Sequence, residues 1–559
     1  MAGQALCARE KKLQIVTTGD VHGCFFDDTY TSSRKKNSLM SVKCYVDSLR
    51  QACGSENVLL LDAGDILQGD NASYYYNFVD TESEHVYPRI AACMGYDAVT
   101  LGNHDIETGH AVYDRVTAQL QARGIPVLAG NIVNEADSSA YLPSWTLIKK
   151  SGKKIAVLGF NNANIKSWLP EYLWTGLDFL SLTDCVQEKV DELRRQCRPD
   201  LVIVVVHSGS GKGDGSQLEN QALDLLYSLK GVDVIVGAHD HRSYVERHGD
   251  CVYVNGGARA AAVGRVEVSF SRKGKSLDAY VHKLDKNKVD AEMKEAFAPD
   301  VEAVTAYTLQ EVGKVELPLL SRESFKGMCP YINLIHSVQL SVEGARLSFA
   351  APLNANTRIA AGPVKVNDLF SIYPFENQLF VMKMSGREIK NYLEYSYSLW
   401  LSADSSEHIL NIQNRSDERS GAERWSFMEA SYNFDSCAGL IYNVNIDAPA
   451  GSRIEIISLA DGTPFEPDTF YNVAMTSYRA TGGGELMQKG AGLDHPVLEE
   501  RVVARYPEIR ELIRALLLEK GSIGEADIND GSRLGEWHFE PREKAERLLE
   551  EDYKKMWGE

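Results

Sequence analysis

Histidines and acidic residues recur in five short motifs of the N-terminal half of the chain, and each motif follows an apolar run. In chain order the motifs are Asp20-Val21-His22, Gly64-Asp65, Gly102-Asn103-His104-Asp105, His207 and Gly237-Ala238-His239-Asp240-His241. They contain five of the thirteen histidines of the chain. Imidazole nitrogens, carboxylates and an amide oxygen form a ligand set for borderline divalent metals such as Zn, Mn, Fe or Co.

The candidate ligands are too many for one tetrahedral ion, so they predict two divalent ions that share a bridging carboxylate. They are Asp20, His22, Asp65, Asn103, His207, His239 and His241. Two such ions, about 3.5–4 Å apart, stabilise the attacking and leaving oxygens of a displacement at phosphorus and lower the pKa of water. Taken singly, each motif is more typical of a turn, a helix cap or a surface pair. Five of them in order favour the metal interpretation.

The elements that must position these motifs are strands. Apolar runs at 13–17, 58–61, 98–101, 155–160, 201–206 and 232–236 alternate with amphipathic helical patterns. Strands buried on both faces that alternate with helices predict an α/β domain with a parallel or mixed sheet, over residues 11–285. Because the carboxyl ends of such strands share one edge, the motifs are expected to converge there.

The rest of the chain predicts a second domain. Residues 286–315 are charged and helical in pattern, which indicates a linker helix. A smaller α/β domain is expected over residues 316–521, with strands at 379–384, 441–446 and 471–476 and a helix at 385–398. Residues 522–559 are expected to form a charged helical tail.

Length and composition exclude several classes of protein. At 559 residues and 62.0 kDa the chain suits two domains. Its net charge of −19 provides no field that attracts a nucleic acid polymer. No apolar stretch approaches the length of a membrane span, and the first ten residues contain no signal-peptide core. The ten cysteines, with no C-x-x-C, indicate neither a disulfide framework nor a zinc cage.

The series of motifs resembles the calcineurin-like metallophosphoesterases and, more narrowly, the two-domain 5′-nucleotidase family, which includes the 2′,3′-cyclic-nucleotide 2′-phosphodiesterase/3′-nucleotidases. The resemblance implies a four-layer α/β sandwich followed by a smaller α/β substrate-binding domain. It implies that one ion is held by Asp20, His22, Asp65 and His241, and the other by Asp65, Asn103, His207 and His239. It further implies that His104 is catalytic. The acidic partner of this histidine is replaced here by Glu107, whose longer side chain is expected to keep the charge but not the reach.

Two aromatic motifs of the second half bear on the substrate. They are Tyr373-Pro374-Phe375-Glu376-Asn377 and Ser477-Tyr478-Arg479-Ala480-Thr481-Gly482-Gly483. From the residues alone, Phe375 and Tyr478 are more typical of core aromatics. The resemblance instead implies that they stack on a nucleobase, with Asn377 as a hydrogen-bonding partner of the base edge. The expected partner is therefore a mononucleotide. The protein is expected to be a monomer or weak dimer, and the resemblance implies a location in the periplasm or at the cell surface.

Differences from the family sequence in the second half predict which of its two arms the chain belongs to, the 5′-nucleotidases or the cyclic-phosphodiesterase/3′-nucleotidases. The 5′-nucleotidases carry an Asn-Gly-Gly-Gly-Ile-Arg stretch where this chain has Phe349-Ala350-Ala351-Pro352-Leu353, and an acidic residue where it has Gly484. The stretch from Asn333 to Leu340 resembles the cyclic-phosphodiesterase arm. We therefore expect hydrolysis of 2′,3′-cyclic and 3′-nucleotides, with 5′-nucleotides as the alternative. A protein phosphatase and a non-catalytic nucleotide-binding surface protein are the alternatives from other classes.

Overall fold

A computed structural model describes residues 11–32, 34–272, 274–375, 377–415 and 423–558. The chain divides into two compact units, the first ending at Thr308 and the second beginning at Leu309. Each unit has its own hydrophobic core.

The first unit is built on two six-stranded sheets. Its strands are β1 (Lys11–Thr18), β2 (Val58–Asp62), β3 (Ala98–Thr100), β4 (Val127–Leu128), β5 (Ile132–Asn134), β6 (Trp145–Lys150), β7 (Lys153–Phe160), β8 (Leu177–Phe179), β9 (Leu201–Val206), β10 (Val234–Gly237), β11 (Ser243–His248), β12 (Cys251–Gly256), β13 (Ala262–Ser271) and β14 (Gly274–Lys283). One sheet has the order β14-β13-β1-β2-β3-β4 and the other β11-β12-β10-β9-β7-β6. Strands β1 to β4 run parallel, as do β7, β9, β10 and β12.

Helices cover the outer faces of both sheets. They are α1 (Leu39–Cys53), α2 (Asn71–Tyr74), α3 (Val86–Met94), α4 (Asn103–Ile106), α5 (His110–Ala122), α6 (Ile165–Trp168), α7 (Leu182–Gln196), α8 (Ala222–Ser228), α9 (Ala291–Ala296) and α10 (Ala298–Thr308). One apolar layer lies between the sheets. Each sheet is separated from its own helices by one further apolar layer. The four-layer α/β sandwich expected from the sequence is confirmed.

Buried apolar runs explain why the central strands form where they do. Strand β9 consists only of Leu, Val and Ile, and all six of its residues are buried. Its alternate side chains pack into the layer between the sheets and into the layer beneath α7 and α8. All six apolar runs predicted as strands coincide with β1, β2, β3, β7, β9 and β10.

The second unit combines a five-stranded sheet with smaller sheets. Its strands are β15 (Glu311–Val315), β16 (Leu319–Leu320), β17 (Leu347–Ala350), β18 (Arg358–Ile359), β19 (Gly362–Lys365), β20 (Gln378–Ser385), β21 (Ile412–Asn414), β22 (Trp425–Phe427), β23 (Ser436–Ala438), β24 (Leu440–Asn445), β25 (Ile454–Leu459), β26 (Phe470–Thr476), β27 (Val502–Glu508), β28 (Ser522–Ile523) and β29 (Gly535–Glu540). The main sheet has the order β23-β17-β26-β20-β27.

Its helices are α11 (Pro330–Ser341), α12 (Val366–Ile372), α13 (Gly386–Trp400), α14 (Ser477–Ala480), α15 (His495–Glu500), α16 (Ile509–Lys520), α17 (Glu525–Ile528), α18 (Gly531–Leu534) and α19 (Arg542–Trp557). The helix predicted at 385–398 is α13. It begins after Ser385 because the Ser385 hydroxyl accepts from the Glu388 N–H while the Glu388 carboxylate accepts from the Ser385 N–H.

Two predicted segments differ in the structure. The expected linker helix at 286–315 is two helices, α9 and α10, followed by β15, and Met293, Phe297 and Val304 are buried in the core of the first unit. The expected helical tail at 522–559 contains β29, which pairs with β24, and Trp537 and Phe539 are buried in the second core. Charged solvent-facing residues in both segments conceal these buried positions in the sequence.

No helix among the described residues is long and apolar enough to span a membrane. The nine cysteines in the described ranges are all unpaired, and Cys7 lies outside those ranges.

Candidate metal centre

The five motifs meet at one edge of the two sheets. Asp20 follows β1 and Asp65 follows β2, both in the first sheet. Asn103 begins α4 directly after β3, while His207 follows β9 and His239 follows β10 in the second sheet. The carboxyl ends of both sheets therefore contribute to the same site.

The predicted ligands form two groups. Asp20, His22 and His241 form one, and Asp65, His207 and His239 form the other; in each group the ligand atoms lie within 4.8 Å of one another. The seventh predicted ligand, Asn103, has its amide Oδ1 2.9 Å from His239 Nδ1 and 3.1 Å from His207 Nε2. Asp20 Oδ1 lies 3.9 Å from His207 Nε2, so the two groups adjoin.

Hydrogen bonds outside the groups decide which imidazole nitrogens face inward. His22 Nδ1–H donates to the Gln68 carbonyl at 3.1 Å, and His207 Nδ1–H donates to the Ala63 carbonyl at 2.7 Å. Each ring therefore directs its Nε2 at the site. His22 Nε2 faces His241 Nε2 at 2.9 Å, and His207 Nε2 faces Asp65 Oδ2 at 3.1 Å. Lone pairs directed at one another need a cation or a proton between them, and this donor set fits divalent metal ions.

The ionisation of the site without added cations supports the same fit. Burial, helped by the neighbouring Asp65 and opposed by His207, raises the pKa of Asp20 to about 8. Burial lowers the pKa of His241 to about 4 and that of His22 well below its usual range, so both imidazoles are neutral at pH 7. Burial disfavours the His207 imidazolium, but Asp65 raises the pKa of His207 to about 9, so this ring holds a proton at pH 7. A divalent cation would take the place of the protons on Asp20 and His207.

Two glycines of the motifs permit the close approach of these loops. A Cβ at Gly102 would lie 2.1 Å from Asp65 Oδ1, and a Cβ at Gly64, where φ is +94°, would lie 2.5 Å from the Gly102 nitrogen. Neither position can hold a side chain in this arrangement. The glycine in each motif is therefore part of the geometry that brings Asp65 next to Asn103.

The backbone of the ligand loops is strained. Eleven non-glycine residues in the described ranges have positive φ, and five of them are predicted ligands. They are Asp20, His22, Asp65, His239 and His241. Left-handed backbone in a non-glycine residue costs about 1–3 kcal/mol and persists where surrounding structure enforces it, which is common at functional sites. The sequence does not reveal the left-handed backbone at these positions, because glycine is the residue that usually marks it and these residues are aspartate and histidine.

Asp105 provides that enforcement at Asp65. One of its carboxylate oxygens accepts from the N–H groups of Ile66 and Leu67 at 2.8 and 2.9 Å, and the other from those of Asp65 and Gly102 at 2.9 and 2.7 Å. The carboxylate thus ties the loop after β2 to the loop after β3. Its place in the Gly-Asn-His-Asp motif was the only indication of this role in the sequence.

His104 and Glu107 lie beside the first group. His104 Nδ1 is 2.6 Å from Glu107 Oε2, and that oxygen also accepts from Gln68 Nε2 at 2.9 Å. The His104 ring is 5.4 Å from the His22 ring, measured between centroids. Burial disfavours the imidazolium, but Asp65 and Glu107 raise the pKa of His104 to about 10. The glutamate side chain therefore reaches the imidazole.

Two residues near His239 were not predicted from the sequence. The ring of Trp168, at the end of α6, stacks on the His239 ring with centroids 5.2 Å apart and an angle of 21°. Glu219 Oε1 lies 3.8 Å from His239 Nε2. Trp168 ends a short helix and Glu219 lies in a loop, and neither belongs to a motif, so only the folded chain reveals them.

The predicted nucleotide contacts lie in the second unit and are described within that unit alone. Phe375 and Tyr478 are half-buried, and Asn377 is buried. Tyr432, an exposed residue that was not predicted, places its ring 6.3 Å from the Phe375 ring in an edge-on arrangement. Glu376 of the same motif lies outside the described residues.

The buried guanidinium of Arg479 connects the loops that carry these aromatic residues. Arg479 Nε donates to Asp435 Oδ2 at 3.0 Å, and its terminal nitrogens donate to the carbonyls of Tyr432 and Gly483 at 2.6 and 2.7 Å. The same guanidinium lies 5.4 Å from the centre of the Tyr478 ring. Loops that carry exposed aromatic rings are thereby fixed to the core of the unit.

Comparison with known proteins agrees with the two-unit architecture. The calcineurin-like phosphoesterase family matches residues 13–243, and the 5′-nucleotidase C-terminal domain family matches residues 311–490. Among solved structures, the 5′-nucleotidase precursor from Thermus thermophilus superimposes with a TM-score of 0.62 and 22% identity, over 92% of this chain and 97% of that one. At this identity the likeness concerns the fold.

Three relatives are similar along the sequence. The trifunctional nucleotide phosphoesterase protein YfkN of Bacillus subtilis is 24% identical over 93% of this chain, which spans 39% of YfkN. A 2′,3′-cyclic-nucleotide 2′-phosphodiesterase/3′-nucleotidase of Haemophilus influenzae is 22% identical over 95% of this chain and 87% of that protein. A 5′-nucleotidase of Vibrio cholerae is 26% identical over 68% of this chain and 75% of that protein.

The chain therefore belongs to the calcineurin-like metallophosphoesterases that carry a 5′-nucleotidase C-terminal domain. It is a phosphoric ester hydrolase.

Proposed function

We propose that the protein is a dinuclear-metal nucleotide phosphohydrolase that acts first on 2′,3′-cyclic and 3′-nucleotides and releases nucleoside and phosphate. The observation that carries this proposal is the convergence of two Asp/His groups, whose ligand atoms lie within 4.8 Å in each group, at one edge of the sandwich. The names of the relatives, all nucleotide phosphoesterases or nucleotidases, support a nucleotide as the substrate.

In this proposal each group holds one divalent ion. Asp20, His22 and His241 would hold the first, while Asn103, His207 and His239 would hold the second, with Asp65 shared by both. When bound, such ions neutralise charge on phosphoryl oxygens and make water more acidic. The contribution of the chain is to direct unprotonated imidazole nitrogens and carboxylate oxygens into a space that its loops have already formed.

We assign proton and charge handling to His104. Its Nδ1–H is held by Glu107 at 2.6 Å, so Nε2 is the nitrogen left to face the substrate. A protonated Nε2 can donate to a phosphoryl oxygen as charge develops there, or protonate the leaving alkoxide, and either role accelerates hydrolysis by orders of magnitude. Glu107 orients the ring and stabilises the imidazolium.

Base recognition is assigned to the second unit. Phe375 and Tyr478 would stack on the nucleobase, and each stacking contact contributes about 1–3 kcal/mol with little base selectivity. Asn377 is the proposed hydrogen-bonding partner of the base edge. Tyr432 joins this set because its ring lies 6.3 Å from that of Phe375 on the exposed side of the same loop region.

The preference for the cyclic and 3′ substrates rests on the second half of the chain. The relative from Haemophilus influenzae aligns with 95% of the chain, whereas the 5′-nucleotidase from Vibrio cholerae aligns with 68%. The stretch from Phe349 to Leu353 lacks the Asn and the Arg that the 5′-nucleotidases carry there, and Gly484 stands where they carry an acidic residue. Hydrolysis of nucleoside 5′-monophosphates is the alternative function, favoured by the higher identity to that 5′-nucleotidase, 26%.

One assay tests the proposal and its alternative together. The full chain, loaded with Mn²⁺, is incubated with 2′,3′-cyclic AMP, 3′-AMP and 5′-AMP, and phosphate release is measured before and after dialysis against a chelator. We expect faster turnover of the first two substrates, loss of activity on chelation and recovery with Mn²⁺. Equal or faster turnover of 5′-AMP would reverse the preference.

A non-catalytic nucleotide-binding surface protein is the alternative from another class. It predicts nucleotide binding without phosphate release, and binding that is insensitive to His104→Ala. A His104→Ala variant that binds nucleotide normally but hydrolyses it at least a hundredfold more slowly would support the enzyme.

A further inference from the structure

An exposed arginine stands beside the candidate metal centre and belongs to none of its ligand groups. Arg259 lies in the turn between β12 and β13, and its backbone N–H donates to the carbonyl of Asp20 at 2.8 Å. Arg259 and Ala260 both have left-handed backbone, with φ of 54° and 52°. This turn is therefore docked on the first ligand loop, in a conformation that non-glycine residues rarely adopt.

The guanidinium of Arg259 has little protein around it to satisfy its donors. Nη1 approaches the Gly69 carbonyl at 3.5 Å, and the group also contacts the Cys24 thiol. Among the described residues no carboxylate forms an ion pair with it. Lys36, by contrast, is paired with Asp70. Since a guanidinium carries five N–H donors, Arg259 keeps most of them available to a ligand.

Its position relative to the ligands follows from two observations. Gly69, whose carbonyl it approaches, lies against His22, since a Cβ at Gly69 would be 2.9 Å from His22 Cβ. The Arg259 backbone N–H is hydrogen-bonded to the carbonyl of Asp20, a member of the same ligand group as His22. The guanidinium therefore stands on the side of the centre formed by the first ligand group.

We propose that Arg259 is a substrate-binding residue that donates hydrogen bonds to phosphate oxygens beside the candidate metal centre and favours phosphate monoesters over cyclic diesters. The proposal rests on the proposed function, because it concerns how that site recognises its substrate. In a protein of net charge −19, an exposed arginine without a carboxylate partner among the described residues is a local positive charge beside the predicted ligands. Arginine binds phosphate through two parallel N–H donors.

The preference for monoesters follows from charge. A phosphate monoester carries about −1.5 to −2 at pH 7, whereas a cyclic diester carries a single negative charge. The attraction of a fixed cation scales with that charge, so Arg259 stabilises bound 3′-AMP more than bound 2′,3′-cyclic AMP. The same cation also retains the intermediate of the two-step reaction, the opened 3′-monophosphate, for its hydrolysis to nucleoside and phosphate.

The test uses the full chain loaded with Mn²⁺ and the variants Arg259→Gln, Arg259→Lys and Arg198→Gln. Arg198 is the matched control, since it is an exposed arginine that precedes β9, at the opposite end of that strand from His207. Three quantities are measured: kcat/KM for 3′-AMP and for 2′,3′-cyclic AMP, the dissociation constant of inorganic phosphate by calorimetry, and bound metal per chain.

We expect Arg259→Gln to weaken phosphate binding and lower kcat/KM for 3′-AMP, each by roughly tenfold or more, as is usual for a lost charge-assisted hydrogen bond. The loss of kcat/KM for the cyclic diester is expected to be smaller. Arg259→Lys is expected to recover part of the activity lost in Arg259→Gln. Bound metal in every variant, and all three quantities in Arg198→Gln, are expected to match wild type. Unchanged phosphate affinity in Arg259→Gln overturns the inference, as does a loss of bound metal that accounts for the effect. A wild-type protein that binds phosphate through Arg259 yet hydrolyses no nucleotide would refute the proposed function and leave this inference supported.

Discussion

The contact between His104 and Glu107 yields the most sharply defined prediction. The two atoms are 2.6 Å apart, and the carboxylate is held in place by a second hydrogen bond from Gln68. A charge-assisted hydrogen bond of this kind contributes about 1.5–3 kcal/mol. If the bond stabilises the imidazolium in the transition state, Glu107→Gln lowers kcat by roughly 10- to 150-fold, because each 1.36 kcal/mol corresponds to a factor of ten.

A double-mutant cycle tests whether Glu107 acts through His104. Steady-state kcat on the best nucleotide is measured for Glu107→Gln, His104→Ala and the double variant, together with bound metal. We expect the double variant to be no slower than His104→Ala alone, because the carboxylate has no imidazole left to orient. Glu135, an exposed glutamate of the same unit, provides the matched control variant Glu135→Gln.

Two results would refute this reasoning. Glu107→Gln that retains kcat within twofold of wild type would show that the short contact has no catalytic role. Losses that add independently in the double variant would show that the carboxylate acts on something other than His104. Either comparison reports on the His104–Glu107 pair only if every variant binds as much metal as the wild type.

Three further predictions concern the loops, the base site and pH. Asp105→Asn replaces one carboxylate oxygen by an N–H donor that faces backbone N–H groups. We therefore expect the free energy of unfolding, measured by urea titration, to fall by about 3 kcal/mol or more, and metal binding, measured by competition, to weaken. An unaltered unfolding midpoint would contradict this prediction. Tyr478→Ala removes a stacking face, so KM for nucleotides is expected to rise roughly 5- to 150-fold while hydrolysis of a small aryl phosphate is unchanged; an equal loss on both substrates would argue against base stacking. Burial and the charge of Arg115 lower the pKa of His85 to about 3, below its unfolded value of about 6.5. The unfolded state therefore gains the proton as pH falls, which costs about 2 kcal/mol of folding stability between pH 7 and pH 5. Urea unfolding at both pH values should show a smaller loss of stability in His85→Asn.

The sequence predicted the framework of the first unit because its strands are buried on both faces. Runs such as 201–206 contain only β-branched and leucine residues and have no competing interpretation. The glycine in Gly64-Asp65 and in Gly102-Asn103 was visible as part of a motif, and the structure gives its reason in the close approach of two loops. The convergence of the motifs followed from the shared carboxyl ends of the strands, and the predicted ligands lie together at that edge.

The parts that were missed depend on packing between distant segments. Segments such as 535–540 carry Trp537 and Phe539 between charged residues, and only pairing with β24 reveals the strand. Trp168, at the end of the short helix α6, and Glu219, in a loop, reach His239 from segments that carry no motif. Left-handed backbone at aspartate and histidine is equally invisible, because it is enforced by hydrogen bonds from other loops.

Those enforcing bonds also explain why the centre lies where the two sheets meet. Both carboxylate oxygens of Asp20, at the end of the first sheet, accept from the backbone N–H of His239 in the second, at 2.9 and 3.0 Å. His207, at the end of the second sheet, donates from Nδ1 to the Ala63 carbonyl in the first. The predicted ligands therefore also hold the ends of the two sheets together. It follows that the separation of the two ligand groups is set by the sandwich itself, and that a substitution at Asp20 or His207 alters metal geometry and sheet contact at once.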